Sequence, residues 1–190
     1  VGIINEAYAV EDHDKRWVLD NLNSAASNFG GDIDLVNLLA LPIDKIESRL
    51  RDKDVIYVVG GHTDYLMSVF NKSGFDTLVP ELLKTKVYVG SSAGSMVAGR
   101  RISAAAYKMI YYDEDIYGIS AYMELVNFSV MPHLDSPQFP NRKYKLLEAV
   151  NKFEGKVYGL RDDSAVIVDG DNTYTIGSEP IIIDKAKLIS

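Results

Sequence analysis

Val87-Tyr88-Val89-Gly90-Ser91-Ser92-Ala93-Gly94-Ser95-Met96 is the stretch on which the fold turns. The apolar run Val87 to Val89 reads as a buried strand, and a helix follows from Met96. Strand and helix meet through Gly-x-Ser-x-Gly, the nucleophile-elbow pattern. At such a corner the central residue is forced into a strained backbone conformation at the top of a sheet. Its neighbours must be small, because strand and helix pass within contact distance there. Gly90, Ala93 and Gly94 supply that smallness. Ser92 would present its hydroxyl, and the N–H of Ala93, at the helix N-terminus, would face a developing oxyanion. The same residues are open to two plainer readings, a Gly-rich turn or an anion-binding helix start.

Outward from this corner, strand-like and helix-like segments alternate. Gly2 to Asn5, Asp34 to Leu38 and Val55 to Val59 read as strands. Between them, Asp14 to Phe29 places Trp17, Val18, Leu19, Leu22, Ala25 and Ala26 at helical spacing, and Gly30-Gly31 closes the helix. Pro42 starts a helix through Ile46 and Leu50, and Thr63 to Phe70 and Thr77 to Leu83 read as helices. This alternation predicts an α/β fold, an open, doubly wound and mainly parallel sheet with crossover helices. Ligands in that architecture sit at the carboxyl ends of the strands, where Gly60-Gly61 and Gly90 to Gly94 fall. Further on, Val126 to Met131 reads as a strand, Tyr144 to Phe153 as a helix, and Lys156 to Leu160, Ala165 to Val168, Thr173 to Ile176 and Pro180 to Ile183 as short strands. Asp169-Gly170-Asp171-Asn172 between two of them is a hairpin signal, so the last third is expected to be an antiparallel C-terminal extension. Residues 1–190 read as a single domain.

Twenty Lys and Arg stand against 27 Asp and Glu, a net charge of −7. That balance argues against a nucleic-acid partner, which needs a basic face. The chain has no cysteine, which removes disulfides, thiolate metal sites and a Cys nucleophile. Its apolar runs fall far short of the ~20 residues a bilayer needs, and no signal-peptide pattern opens it. The reading is a cytoplasmic protein without cofactor or metal, a monomer or homodimer, with no membrane association.

An alkyl hydroxyl needs a base, and imidazole is the usual one. There are three histidines. His13, amid Glu11, Asp12 and Asp14, reads as surface. His62 follows Gly60-Gly61 at a strand end. His133, after an apolar strand and Pro132 and downstream of the elbow, ranks first. The carboxylate that orients it is sought among Asp113, Glu114 and Asp115; Asp135 is too close in sequence to reach the same ring comfortably.

These residues also bring together the motifs of a known family. Val58-Val59-Gly60-Gly61-His62-Thr63-Asp64-Tyr65-Leu66 is similar to a strand and "GGNT-x-x-L" turn, with His62 for Asn. Gly90 to Ser95 is similar to "G-x-SAG-[AS]", and Val130-Met131-Pro132-His133 to an "NPH" segment with Met for Asn. Tyr158 to Ala165 is similar to "gl-x-[ED]-x-x-a". The chain resembles the aspartyl dipeptidase (peptidase E) family of serine peptidases, whose relatives include cyanophycinase. The resemblance implies Ser92 as nucleophile, His133 as general base, Asp113 or, second, Asp115 as the acid, and Gly61 and Ala93 as oxyanion donors. It implies a small peptide substrate with an N-terminal aspartate, and Arg142 is a candidate for holding the acidic group. Family members carry one more strand and helix before the segment that Val1 to Glu6 matches.

Two other readings compete. An α/β-hydrolase esterase shares the elbow and the order Ser, acid, His, but the multi-strand tail after His133 speaks against it. A non-catalytic peptide-binding homologue is suggested by His62, Met131 and the missing first unit.

Overall fold

Strands that run parallel must be joined by crossovers, and helices supply them throughout the first half of this chain. The computed structural model describes residues 1–12, 14–111 and 116–184. It divides into two compact units, 1–97 and 98–190.

In the first unit, strands β1 (Gly2–Ile4), β2 (Asp34–Leu35), β3 (Val55–Val58) and β4 (Val87–Gly90) form one parallel sheet in the order β2-β1-β3-β4. The crossovers carry α1 (Arg16–Phe29), α2 (Ile43–Arg51), α3 (Thr63–Ser73) and α4 (Phe75–Leu82), and α5 (Ala93–Ala98) follows β4. Ile3, Ile4, Ile56, Val58 and Val59 are fully buried, as parallel strands covered on both faces require. Leu66, Val69 and Phe70 of α3 and Phe75 and Val79 of α4 are buried with them. The second strand is shorter than the expected Asp34 to Leu38. Val36 still donates to Ile3, but the Leu38 N–H is taken by the side chain of Glu6, which ends the ladder. Glu6 is itself buried, and its second carboxylate oxygen has no hydrogen-bond partner among the described residues. Burial pushes its pKa up against the opposing pull of the Leu38 N–H. At the opposite end of β2, Asp34 pairs with Arg49 of α2, which holds the carboxylate below its usual range. The fourth helix starts at Phe75 rather than Thr77, directly after Gly74 in the left-handed conformation (φ 76°).

The second unit contains α6 (Ala104–Tyr111), β5 (Ser129–Met131), α7 (Arg142–Glu148), β6 (Lys156–Gly159), β7 (Ala165–Asp169), β8 (Asn172–Ile176) and β9 (Ile181–Asp184). β5 pairs parallel with β6, β6 antiparallel with β9, and β7 with β8 in a hairpin. The antiparallel C-terminal strands are thus present, as a three-stranded sheet and a separate hairpin. Leu146, Ala149, Phe153 and Val157 form a core with Ala106, Ile110 and Met131. The helix expected over Tyr144 to Phe153 is α7 followed by a single 3-10 turn, Val150–Lys152. That turn is tied down by the Ser103 hydroxyl, which donates to the Lys152 carbonyl at 2.7 Å.

Candidate active site

The first constellation belongs to the parallel unit. Ser92 is a non-glycine residue at φ 51°, two residues after the end of β4 and directly before α5. A left-handed backbone costs a side-chain-bearing residue on the order of 1–2 kcal/mol, so it persists only where its surroundings enforce it. Here the enforcement is steric and hydrogen-bonded. A Cβ on Gly90 would lie 2.5 Å from the Gly94 carbonyl oxygen, and a Cβ on Gly60 2.6 Å from the Ser92 Cβ. A Cβ on Gly94 would run into the Val58 carbonyl. The Ser92 carbonyl accepts from Ser95 N at 2.9 Å, Met96 N at 3.1 Å and the Ser95 hydroxyl at 2.6 Å. Tyr88 donates its hydroxyl to the Gly94 carbonyl at 2.7 Å, and desolvation drives that phenol far above its ordinary pKa. The helix therefore begins at Ala93, three residues before the expected Met96, because the corner's own carbonyls start its hydrogen bonding.

Beside this corner lies the turn after β3. Gly61 has φ 138°, and a Cβ there would press on the backbone of Ala7 and stand 2.6 Å from Tyr8 N. His62 is the N-cap of α3: its Nδ1 accepts from Tyr65 N at 3.2 Å. Imidazole nitrogen thus does what the side-chain oxygen of the more common Asn would do, satisfying one of the helix's unpaired first-turn N–H groups. Accepting through Nδ1 puts the neutral ring's proton on Nε2.

The second constellation belongs to the other unit. His133, after β5, is also left-handed, with φ 68°. Its Nδ1 stands 2.6 Å from Asp162 Oδ1, and its ring stacks on Phe139 at 4.9 Å. With a carboxylate at Nδ1 the neutral ring carries its proton there, and the basic lone pair is on Nε2. This is the tautomer a general base needs, and it is the reverse of His62. Asp135 does not reach the imidazole; it meets Arg161 instead, Nε to Oδ2 at 2.5 Å. Arg142 is buried, its guanidinium 4.4 Å from the ring centre of Tyr111 and 4.6 Å from that of Phe139. Arg100 stands 3.7 Å from Glu124, and Arg101 lies over Tyr107.

The expected site residues therefore fall into two groups. Ser92, Ala93 and Gly61 gather at the carboxyl ends of β3 and β4. His133 and Arg142 gather with Phe139 in the other unit. Asp113, Asp115 and His13 lie outside the described residues. Asp162, the carboxylate on the imidazole, was not among the expected site residues. The acids weighed were Asp113, Glu114, Asp115 and Asp135, although Asp162 occupies the acidic position of the "gl-x-[ED]-x-x-a" segment. Among the described residues, no three His, Asp or Glu side chains are grouped as a metal site, and no helix is long and apolar enough to cross a membrane.

Comparison with known proteins places the chain in a family. The sequence model of Peptidase family S51 matches residues 7–176. An uncharacterised peptidase of Listeria monocytogenes is 26% identical over 162 residues, 80% of this chain and 74% of that protein. Peptidase E of Shewanella oneidensis is 29% identical over 138 residues, 69% of this chain but 57% of its own length. Among solved structures, a Listeria monocytogenes protein assigned to peptidase E superimposes with a TM-score of 0.74 at 22% identity, covering 94% of this chain and 85% of that one.

Proposed function

Because the chain belongs to Peptidase family S51 and is a peptidase, we propose that it is a serine dipeptidase that hydrolyses short peptides with an N-terminal aspartate through an acyl-enzyme. The observation that carries this reading is the left-handed backbone of Ser92 in its Gly-x-Ser-x-Gly corner. A turn with no chemical duty gains nothing from holding a serine in that conformation.

In the proposed mechanism the Ser92 oxygen attacks the scissile carbonyl while Nε2 of His133 takes its proton. Asp162 accepts the Nδ1 proton as a hydrogen bond, fixes the tautomer and stabilises the imidazolium. The Gly61 and Ala93 N–H groups face the oxyanion of the tetrahedral intermediate. Collapse breaks the C–N bond, and the imidazolium returns its proton to the leaving amine. Water then attacks the acyl-serine with His133 again as base, which releases aspartate and restores the hydroxyl. Arg142 supplies a cation for the substrate's acidic side chain; charge-assisted contacts of this kind contribute about 1.5–3 kcal/mol each. On a chain of charge −7, a local cation is needed to select an acidic substrate.

His62 supports catalysis over mere binding, since it replaces Asn without losing the helix cap beside Gly61. The deciding experiment is hydrolysis of Asp-Leu by the purified protein and by Ser92→Ala, with a fluorophosphonate probe in parallel. Turnover and labelling of the parent, both lost in the variant, are expected. Undiminished turnover by Ser92→Ala would overturn the mechanism.

A further inference from the structure

Two short segments meet around His133, and they are joined twice. Their backbones are linked by Leu160 N donating to Met131 O at 2.8 Å and Leu134 N donating to Leu160 O at 3.0 Å. Beyond that ladder the side chains cross. His133 goes to Asp162, and Asp135, two residues on, goes back to Arg161, the residue before Asp162. Arg161 is held at a second point, its Nη1 donating to the Glu179 carbonyl at 3.1 Å. Its own backbone is closed into a turn by Ser164, whose hydroxyl accepts from Arg161 N at 2.9 Å and donates to Arg161 O at 3.0 Å.

This matters because neither partner of the His133–Asp162 pair is fixed by burial. The Asp162 side chain is 52% exposed and that of His133 26% exposed. His133 also sits in a left-handed backbone that relaxes unless its neighbours hold it. An exposed carboxylate on a turn makes a 2.6 Å contact reliably only if the turn itself is anchored. A guanidinium with two fixed contacts is such an anchor, since its planar fork loses little freedom per bond.

We propose that Asp135 and Arg161 are positioning residues: their ion pair locks the 161–164 turn against the His133 segment and so keeps Asp162 on Nδ1 of the imidazole. The proposal rests on the peptidase reading for its catalytic consequence but not for its structural one. Among the described residues, the charged groups around the imidazole include Asp162 at Nδ1, the Asp135–Arg161 pair, Lys143 at 3.9 Å from Asp135, and Arg142 over the Phe139 ring that stacks on His133. The Arg161 and Asp135 side chains are 33% and 44% exposed, so the pair adds little to global stability and its effect is local.

The test uses the full chain and three variants, Asp135→Asn, Arg161→Lys and the double. Lysine keeps the charge of Arg161 but cannot hold Asp135 and the Glu179 carbonyl at once. Histidine ring nitrogen shifts, measured by NMR with His133→Gln for assignment, report which nitrogen carries the proton. In the parent, His133 is expected in the Nδ1–H form and His62 in the Nε2–H form, an internal reference. Both single variants should shift His133 toward a mixture of tautomers while His62 and the unfolding midpoint stay put. Asp-Leu turnover should show kcat lower by about fivefold in each single variant, KM within about twofold, and a double variant no worse than the singles. An unchanged His133 tautomer in both singles, or losses in kcat that multiply in the double, would overturn the proposal. Should Ser92→Ala leave hydrolysis untouched while the tautomer shifts as described, the peptidase mechanism falls and the positioning role stands.

Discussion

Asp162 Oδ1 lies 2.6 Å from His133 Nδ1, on the turn that follows β6, the strand paired with the one leading into His133. A parallel ladder thus delivers an imidazole and a carboxylate to the same strand ends, from positions 29 residues apart in sequence. The carboxylates that the chain order suggested, Asp113 and Asp115, lie outside the described residues.

Replacing Asp162 should therefore be costly for the chemical step and cheap for the fold. Asp162→Asn can still touch Nδ1 but favours the wrong tautomer, so kcat on Asp-Leu should fall by roughly 10²–10⁴, with KM little changed. Asp113→Asn and Asp115→Asn, assayed beside it, should fall by less than tenfold. A larger loss in either than in Asp162→Asn would move the acid back to that segment.

Gly94→Ala should destroy the corner rather than weaken it. Its new methyl would meet the Val58 carbonyl, and the carbonyl carbon stands only 2.8 Å from the built position. Backbone on both sides leaves no flexible group to yield, so a loss of about 1–3 kcal/mol is expected. Thermal unfolding of Gly94→Ala against Ala93→Ser, a change that leaves this contact alone, checks it.

Tyr88→Phe removes the hydroxyl that donates to Gly94 O, in the first turn of α5. Losing a hydrogen bond of this kind costs about 0.5–1.5 kcal/mol. Because that carbonyl lies in the helix carrying the Ser92 elbow, slower labelling by the fluorophosphonate probe should accompany a lower unfolding temperature. Parent-like labelling with the stability loss present would separate the two effects.

Arg142→Met keeps the length of a side chain packed on Tyr111 and Phe139 but removes its charge. The expected result is KM for Asp-Leu raised about tenfold or more, with hydrolysis of a neutral dipeptide such as Ala-Leu changed far less. Equal losses on both substrates would make Arg142 a support for the Phe139–His133 stack instead.

Glu6 sets a pH dependence of known sign. Its folded-state pKa is raised by burial, so the native state holds the proton more tightly than the unfolded chain. The associated stability is fully present below the unfolded value near 4.5 and is lost as pH rises through the folded one. Glu6→Gln mimics the protonated form and should raise the unfolding temperature at pH 7 by about 2–4 °C while doing little at pH 4. A uniform shift at both pH values would show that ionisation is not the cause.

Much of the first unit was legible in the sequence for physical reasons. Buried parallel strands must be continuously apolar, as Val55 to Val59 is, and a corner where backbones touch must be built from Gly and Ala, as Gly90 to Gly94 is. The helix ends were legible where a residue has one conformational meaning, as at Gly30 and Pro42. Boundaries failed where a side chain intervened: Glu6 stopped β2 at Leu35 by taking the Leu38 N–H, an interaction between positions 32 residues apart.

What the sequence determined by itself was the chemistry on offer: no thiol, three imidazoles, and Ser92 at the centre of a corner of small residues. Local rules reach that far because strand, turn and helix are contiguous. That Asp162 meets the His133 ring was decided only in three dimensions, by the register of β5 on β6. Strand pairing joins residues through hydrogen bonds that carry no mark in the order of the chain, so Asp162 could be named from the sequence and yet not recognised.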